Sequence, residues 1–382
     1  MMFLHTGNLY WPRIYEQKPM FPALEEDVRC DVLIVGGGIS GAYSAYHLAE
    51  TGLDVVVIDK RRIGSGSTSA NTGLLQFSND KTLTSCIHSF GEDKAVRHYK
   101  LCEQAIKDIN TIVQALPLDV DFIPRSSLYA ASCPEHVSLL KEEYAVLCKH
   151  GFSVEYWTEE QIKEKYGFKK PAALYTKGDA EVNPYKLTYA LIQKAAESGV
   201  RVYEHTSVIG KTFEDDHVNI LTHTKRTIRA RKVVFAAGYE AQSFRKDSNA
   251  KLSSTFAIAT NPLSDFGSWH ERSLIWETSR PYLYVRTTVE GRVIIGGLDE
   301  RRCDRKTMES SVLAKRDELL FHLKSLFPQY DEAEAQFFWG GVFGDTHDGL
   351  PIIGAYDDIL IVISCSVMGE TGSFTVRYLA KC

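Results

Sequence analysis

Residues 31 to 59 restrict the fold of this chain more tightly than any other segment. Asp31-Val-Leu-Ile-Val35 is a short apolar run rich in β-branched residues, the pattern of a strand buried on both faces of a parallel sheet. Glycines interrupt it at once, and Gly36-Gly37-Gly38-Ile39-Ser40-Gly41 satisfies G-x-G-x-x-G. From Ile39 the apolar and small residues Ala42, Ala45 and Leu48 recur at helical spacing, and Gly52 sits where a helix C-terminal glycine belongs. A second buried strand, Leu53 to Ile58, leads into Asp59. Strand, helix and strand within about 30 residues make a right-handed βαβ unit, the opening of a doubly wound fold.

Each glycine of that turn has a physical task. Gly36 permits the tight turn, Gly38 lets backbone approach a pyrophosphate at the positive end of a helix, and Gly41 allows close packing of helix on strand. Asp59 ends the second strand, placed to accept hydrogen bonds from a ribose. The unit serves NAD and FAD alike, since both carry an ADP moiety. The segment Gly64-Ser-Gly-Ser-Thr-Ser-Ala-Asn-Thr-Gly73, rich in small and hydroxyl residues, suits a backbone wrapped closely around phosphate and an extended flavin chain.

Composition excludes several other classes. A net charge of -5 argues against a nucleic-acid surface, and the short run Lys60-Arg61-Arg62 does not change that balance. Eight scattered cysteines form no CxxC pair and no zinc-like spacing, so no metal is expected and the thiols read as reduced, in a cytoplasmic protein. The first 22 residues lack the continuous apolar core of a signal peptide, and no apolar run approaches the roughly 20 residues needed to span a bilayer. Nothing resembles a serine nucleophile elbow, an HExxH helix or a P-loop.

Beyond Asn79 the texture changes. Ala95, Tyr99, Cys102, Ile106, Ile109, Val113 and Leu116 mark one face of a helix ended by Pro117. Asn183-Pro184 supplies an N-cap and a first-turn proline for a helix running to Gly199, followed by the strand Val200 to Tyr203. Val218 to Leu221 and Ile228 to Phe235 read as strands, the second leading into Ala236-Ala237-Gly238. The runs Thr255 to Ala259, Ser273 to Trp276, Tyr282 to Arg286 and Val293 to Ile295 have no helices between them, the signature of an antiparallel sheet. The expected fold is α/β: a Rossmann-like nucleotide domain (30-81, 172-244 and 331-382) interleaved with an α+β substrate domain (82-171 and 245-330) containing a mainly antiparallel sheet, after an N-terminal arm (1-29).

With those residues in place, the sequence resembles the D-amino acid oxidase-like family of FAD-dependent amine oxidoreductases over nearly its whole length. The stretches that carry the resemblance are Asp31 to Gly41, Gly64 to Leu75, Asp179 to Ser207, Val233 to Gly238 and Trp339 to Gly354, the last containing the T-x-D-G-x-P-x-I-G pattern at Thr346 to Gly354. Tyr10-Trp11 is similar to the γ-glutamylputrescine oxidase branch. The resemblance implies FAD as cofactor. It places Gly36, Gly38 and Gly41, with Ile39 and Ser40, at the pyrophosphate, Asp59 at the adenosine ribose, and Lys60 and Arg61 among the cofactor residues. Ser67, Thr68, Ser69, Asn71, Thr72, Gly73 and Leu74 would line the flavin and its ribityl chain. Val208 would meet the adenine, Ala237 and Gly238 would form a small-residue turn near the cofactor, and Asp348 and Gly354 belong to the motif leading into a flavin-contacting loop.

The implied reaction is oxidation of a C-N bond of an amine or amino acid derivative, with hydride passing to the flavin and electrons leaving to oxygen or another acceptor. No catalytic side chain is assigned; His347-Asp348 reads as a turn, because adjacent side chains seldom share a target. Tyr282 matches a substrate-pocket tyrosine, and it fits equally a core aromatic on an alternating strand. Phe343 stands where amino-acid-oxidising members carry an arginine that clamps the carboxylate; Arg286, on a neighbouring strand, is the candidate replacement, beside the plainer reading of a surface or structural residue. Two alternatives stand beside this reading: flavin-dependent oxidation of a hydroxyl substrate, and a catalytically defective flavoprotein-like chain. The second arises because Asp357 to Val362 supplies the family's strand, whereas Ser364 to Cys382 lacks the glycine-rich turn expected next and reads as a frame-shifted ending.

Overall fold

The computed structural model describes residues 2–243, 250–355 and 360–364. Its eight-stranded sheet is built on the apolar runs expected to be buried. Arg201–Tyr203, Val55–Ile58, Val28–Val35, Thr227–Phe235 and Leu360–Ser364 lie side by side in parallel. Ile352–Ala355 closes one edge antiparallel. Because side chains alternate along a strand, Leu33, Val35, Val56 and Ile58 join one core while Val32, Ile34, Val55 and Val57 join another. That two-sided burial is what an unbroken apolar run requires. The helix Ile39–Leu48 follows the glycine turn, and Pro184–Glu197 packs against it. Asn183 caps the latter, its side chain accepting the Lys186 N–H at 3.0 Å.

The ten-stranded sheet runs in the order His5–Asn8, Ala335–Thr346, Ala250–Thr260, Val293–Glu300, Leu283–Thr287, Leu274–Glu277, Ile123–Ala130, Ala172–Glu181 and Leu74–Leu75, with Val154–Thr158 also paired to Ala172–Glu181. Every pairing is antiparallel except that between Leu274–Glu277 and Ile123–Ala130. All four β-rich runs seen in the sequence between residues 255 and 295 contribute strands to it. Three strands from the stretches expected in the nucleotide domain, Leu74–Leu75, Ala172–Glu181 and Ala335–Thr346, also pair here, and so does His5–Asn8 of the N-terminal arm. We propose the interleaved partition with these strands as a floor common to both domains.

One helix boundary departs from the sequence pattern. The stretch after Asn79 is two helices, Leu83–Phe90 and Glu92–Val113, parted by Gly91 at φ +83°. The second stops at Val113, short of Leu116-Pro117, although its face of Ala95, Tyr99, Cys102, Ile106 and Ile109 is buried as expected. No described helix is long and apolar enough to cross a membrane. The altered ending expected after Ser364 lies outside the described residues.

Candidate active site

A cavity of about 400 Å³ runs from the glycine turn to the ten-stranded sheet. At one end Gly36, Gly38, Ile39 and Ser40 line it, with Asp59, Lys60 and Arg61 from the end of the second strand. Val208 and the turn Ala237-Gly238 complete that end. Ser67, Thr68, Asn71, Thr72 and Gly73 run along its length, and Tyr282 and Phe343 stand at the sheet. Residues far apart in sequence, each singled out there, thus share one cavity wall.

The glycine turn is made by close backbone packing. A Cβ on Gly41 would overlap the Gly36 carbonyl oxygen, and one on Gly36, at φ +115°, would overlap the Ala236 carbonyl. Gly41 therefore lies behind the wall, holding helix against strand. At Gly38 a Cβ would meet only the Thr68 hydroxyl, at 3.2 Å, and would otherwise occupy the cavity. The Asp59 carboxylate accepts the N–H groups of Gly37 and Arg61, each at 2.7 Å. Burial pushes its carboxyl above the ordinary value, and these two N–H bonds oppose that shift. Each oxygen keeps lone-pair capacity for a further donor such as a ribose hydroxyl.

Lys60 and Arg61 line the cavity with their charges already engaged. Glu240 accepts from Lys60 Nζ at 2.6 Å and from both Arg61 Nη atoms at 3.0 and 3.1 Å. Sequence reasoning missed Glu240, whose only local sign is an acid two residues beyond the Ala-Ala-Gly turn.

The hydroxyl-rich loop is held by three donors from separate parts of the chain, acting on three successive carbonyls. Trp339 Nε1 donates to Ala70 O at 2.8 Å, Trp11 Nε1 to Asn71 O at 2.6 Å, and Arg286 Nε to Thr72 O at 2.7 Å. These bonds turn the carbonyls toward the protein interior, which fixes the wall that Asn71, Thr72 and Gly73 present to the cavity. Arg286 also donates to Val182 O at 3.1 Å and faces Glu181 at 3.6 Å. It is 2% exposed, so it is neither a surface residue nor a cavity-lining one. Of the roles its sequence leaves open, this placement corrects the substrate arginine and agrees with the structural residue, a buried brace for the loop.

Four other expected residues also lie off the cavity wall. Ser69 hydrogen-bonds Gly66 O at 2.8 Å and shapes the loop from behind. Leu74 is buried beside Trp276, Tyr282 and Tyr284. Asp348 is exposed and accepts the Leu350 N–H at 3.1 Å within a turn, with His347 exposed beside it, and Gly354 is exposed on the strand that follows. At the sheet end the structure adds Thr255, Tyr284, Asp299 and Gly341, which come from four strands and carry no sequence motif.

The cavity suits an extended dinucleotide carrying a flavin. It offers backbone without side chains at Gly38 and Gly238, a helix N-terminus behind Gly38 whose first N–H is held by the Thr68 hydroxyl and whose cap residue has no side chain, and a ribose acceptor at Asp59. Comparisons with known proteins agree. Residues 31–377 match the family model DAO, FAD dependent oxidoreductase. The chain is 27% identical over 365 residues to the gamma-glutamylputrescine oxidoreductase of Escherichia coli (strain K12), covering 92% of this chain and 82% of that one. It is 24% identical over 375 residues to a putative Rieske 2Fe-2S iron-sulfur protein of Bacillus subtilis (strain 168), covering 95% and 70%. Among solved structures, glycine oxidase from Geobacillus kaustophilus superposes with a TM-score of 0.77 at 22% identity over 93% of each chain, which speaks for the fold. The chain belongs to the DAO family of FAD-dependent oxidoreductases.

Proposed function

We propose that the cavity holds FAD with its pyrophosphate at Gly36, Gly38 and the helix N-terminus, its ribose at Asp59, and its flavin ring toward Tyr282 and Phe343. On this reading the chain oxidises a C-N bond of an amine or amino acid derivative. The observation that carries it is the continuity of one cavity from the glycine turn to an aromatic wall. When bound, the flavin supplies the hydride acceptor, so the protein has chiefly to orient the substrate and exclude water. Tyr282 and Tyr284, 5% and 8% exposed, give that end two buried aromatic rings in its wall. No described cysteine or histidine lines the cavity, so FAD is expected to leave with the supernatant on acid precipitation; flavin retained in the pellet would contradict this.

Electrons would pass on to oxygen or another acceptor, and we propose a cytoplasmic location, supported by the free thiols of the six described cysteines. The test of the reaction is anaerobic addition of amines, amino acids and alcohols to the FAD-loaded protein. Loss of the oxidised flavin spectrum with an amine supports the proposal, and loss with alcohols alone overturns it. Phe343 gives a second test. With an aromatic ring in the cavity wall, Phe343→Arg should introduce a bidentate carboxylate partner and raise kcat/KM for small D-amino acids or sarcosine by about tenfold or more. An unchanged substrate profile would place the substrate elsewhere.

A further inference from the structure

We propose that Asp299 selects the substrate by pairing with a second, protonated nitrogen remote from the C-N bond being oxidised, so that the preferred substrates are diamines or polyamine conjugates. The inference rests on the amine reading above and adds the class of amine.

Asp299 lies on the strand Val293–Glu300 and lines the cavity. The strands on either side bring Tyr282 and Tyr284, and Thr255, to the same wall, and Phe343 enters from the next strand out. Thr255, on the neighbouring strand and in the same wall, favours the ionised form of Asp299. Among the described residues, five charged side chains line the cavity: Asp59, Lys60, Arg61, Glu240 and Asp299. The first four cluster at the far end, where Glu240 pairs with both cations. Among the described residues, the one charged side chain lining the sheet end is a carboxylate, the opposite sign to a carboxylate clamp.

The surroundings keep that end negative. Asp80 and Asp345 act on Asp299 as like charges, and Arg280 opposes them from behind the wall. Arg280 is itself engaged, 3.1 Å from Asp80 and stacked over the Tyr282 ring at 4.3 Å. A substrate carboxylate placed here would meet repulsion, whereas an ammonium gains a charge-assisted hydrogen bond. Burial raises the Asp299 carboxyl to about 6, opposed by Thr255, so the group is ionised at neutral pH and becomes protonated as pH falls through that value.

The experiment compares anaerobic flavin reduction by propane-, butane- and pentane-diamine with reduction by the monoamine of each length, using the FAD-loaded full-length protein. For at least one length the diamine should have an apparent Kd lower by about tenfold or more, as expected for a hydrogen bond to a charged group. Asp299→Asn, verified by its retained flavin spectrum, should bring the ratio close to one. The wild-type protein supplies a second measurement that needs no variant: the ratio should shrink as pH is lowered from 8 through 6. Equal affinities in the wild type, a ratio preserved in Asp299→Asn, or a ratio constant with pH would each overturn the inference while leaving amine oxidation standing. Failure of every amine to reduce the flavin would overturn the amine reading itself, and the inference with it.

Discussion

Gly38→Val is expected to give a folded protein that carries no flavin, whereas Gly41→Val should fail at the level of folding. The two glycines stand in one turn and face opposite demands. Gly38 has φ -80°, which a valine adopts without strain, and a Cβ there touches only the Thr68 hydroxyl. The added methyl groups would occupy the space proposed for the pyrophosphate. Gly41 faces the carbonyl oxygen of Gly36, a backbone atom fixed by the turn, so its Cβ cannot be accommodated by a side-chain rotation. The cost should reach or exceed the roughly 1–3 kcal/mol usual for overpacking. Circular dichroism and the visible flavin spectrum of the two purified variants distinguish the outcomes. Full flavin content in Gly38→Val would remove the pyrophosphate from this turn.

Arg286→Met should lower stability by about 3–5 kcal/mol, the range for breaking a buried ion pair from one side. The substitution removes the donors to Thr72 O and Val182 O and leaves the Glu181 carboxylate, 1% exposed, with Arg125 at 3.0 Å as its remaining cation. Burial depresses the Arg286 guanidinium and the nearby Glu181 carboxylate opposes that shift, so the pair is mutually dependent. Adding Glu181→Gln should therefore restore part of the loss, a coupling that denaturant unfolding of the single and double variants measures. Because Arg286 holds the wall at Thr72, flavin retention should fall together with stability. A stability change below about 1 kcal/mol would show that the brace does not bear on the fold.

How far the sequence foretold these features depends on how local they are. The βαβ unit was legible because its strand runs, glycines, helix spacing and Asp59 all lie within one stretch whose pattern needs no distant partner. Asn183-Pro184 was legible for the same reason, since cap and helix are adjacent. The helix marked by Ala95 to Leu116 was legible from its spacing but its end was not, because the apolar spacing carries on to Leu116 while the helix stops at Val113. Lys60 and Arg61 were legible as cavity residues, but not their pairing with Glu240, which is brought from 179 residues away by the parallel strands. Arg286 was read as a possible substrate arginine because its strand was evident and its face was not. Trp11, Trp339 and Arg286 converge on Ala70, Asn71 and Thr72 only after two sheets have formed. The neighbours Thr255, Tyr284 and Asp299 follow from strand register, including the irregularity between Ser254 and Phe256, which no local pattern encodes.

The most direct test of the account is the electron density of the FAD-loaded protein. The pyrophosphate should lie at Gly36, Gly38 and the N-terminus of the Ile39–Leu48 helix, the adenosine ribose at Asp59, and the flavin ring against the wall formed by Tyr282 and Phe343. A cofactor bound outside this cavity, or bound with its flavin ring at the Asp59 end, would contradict it.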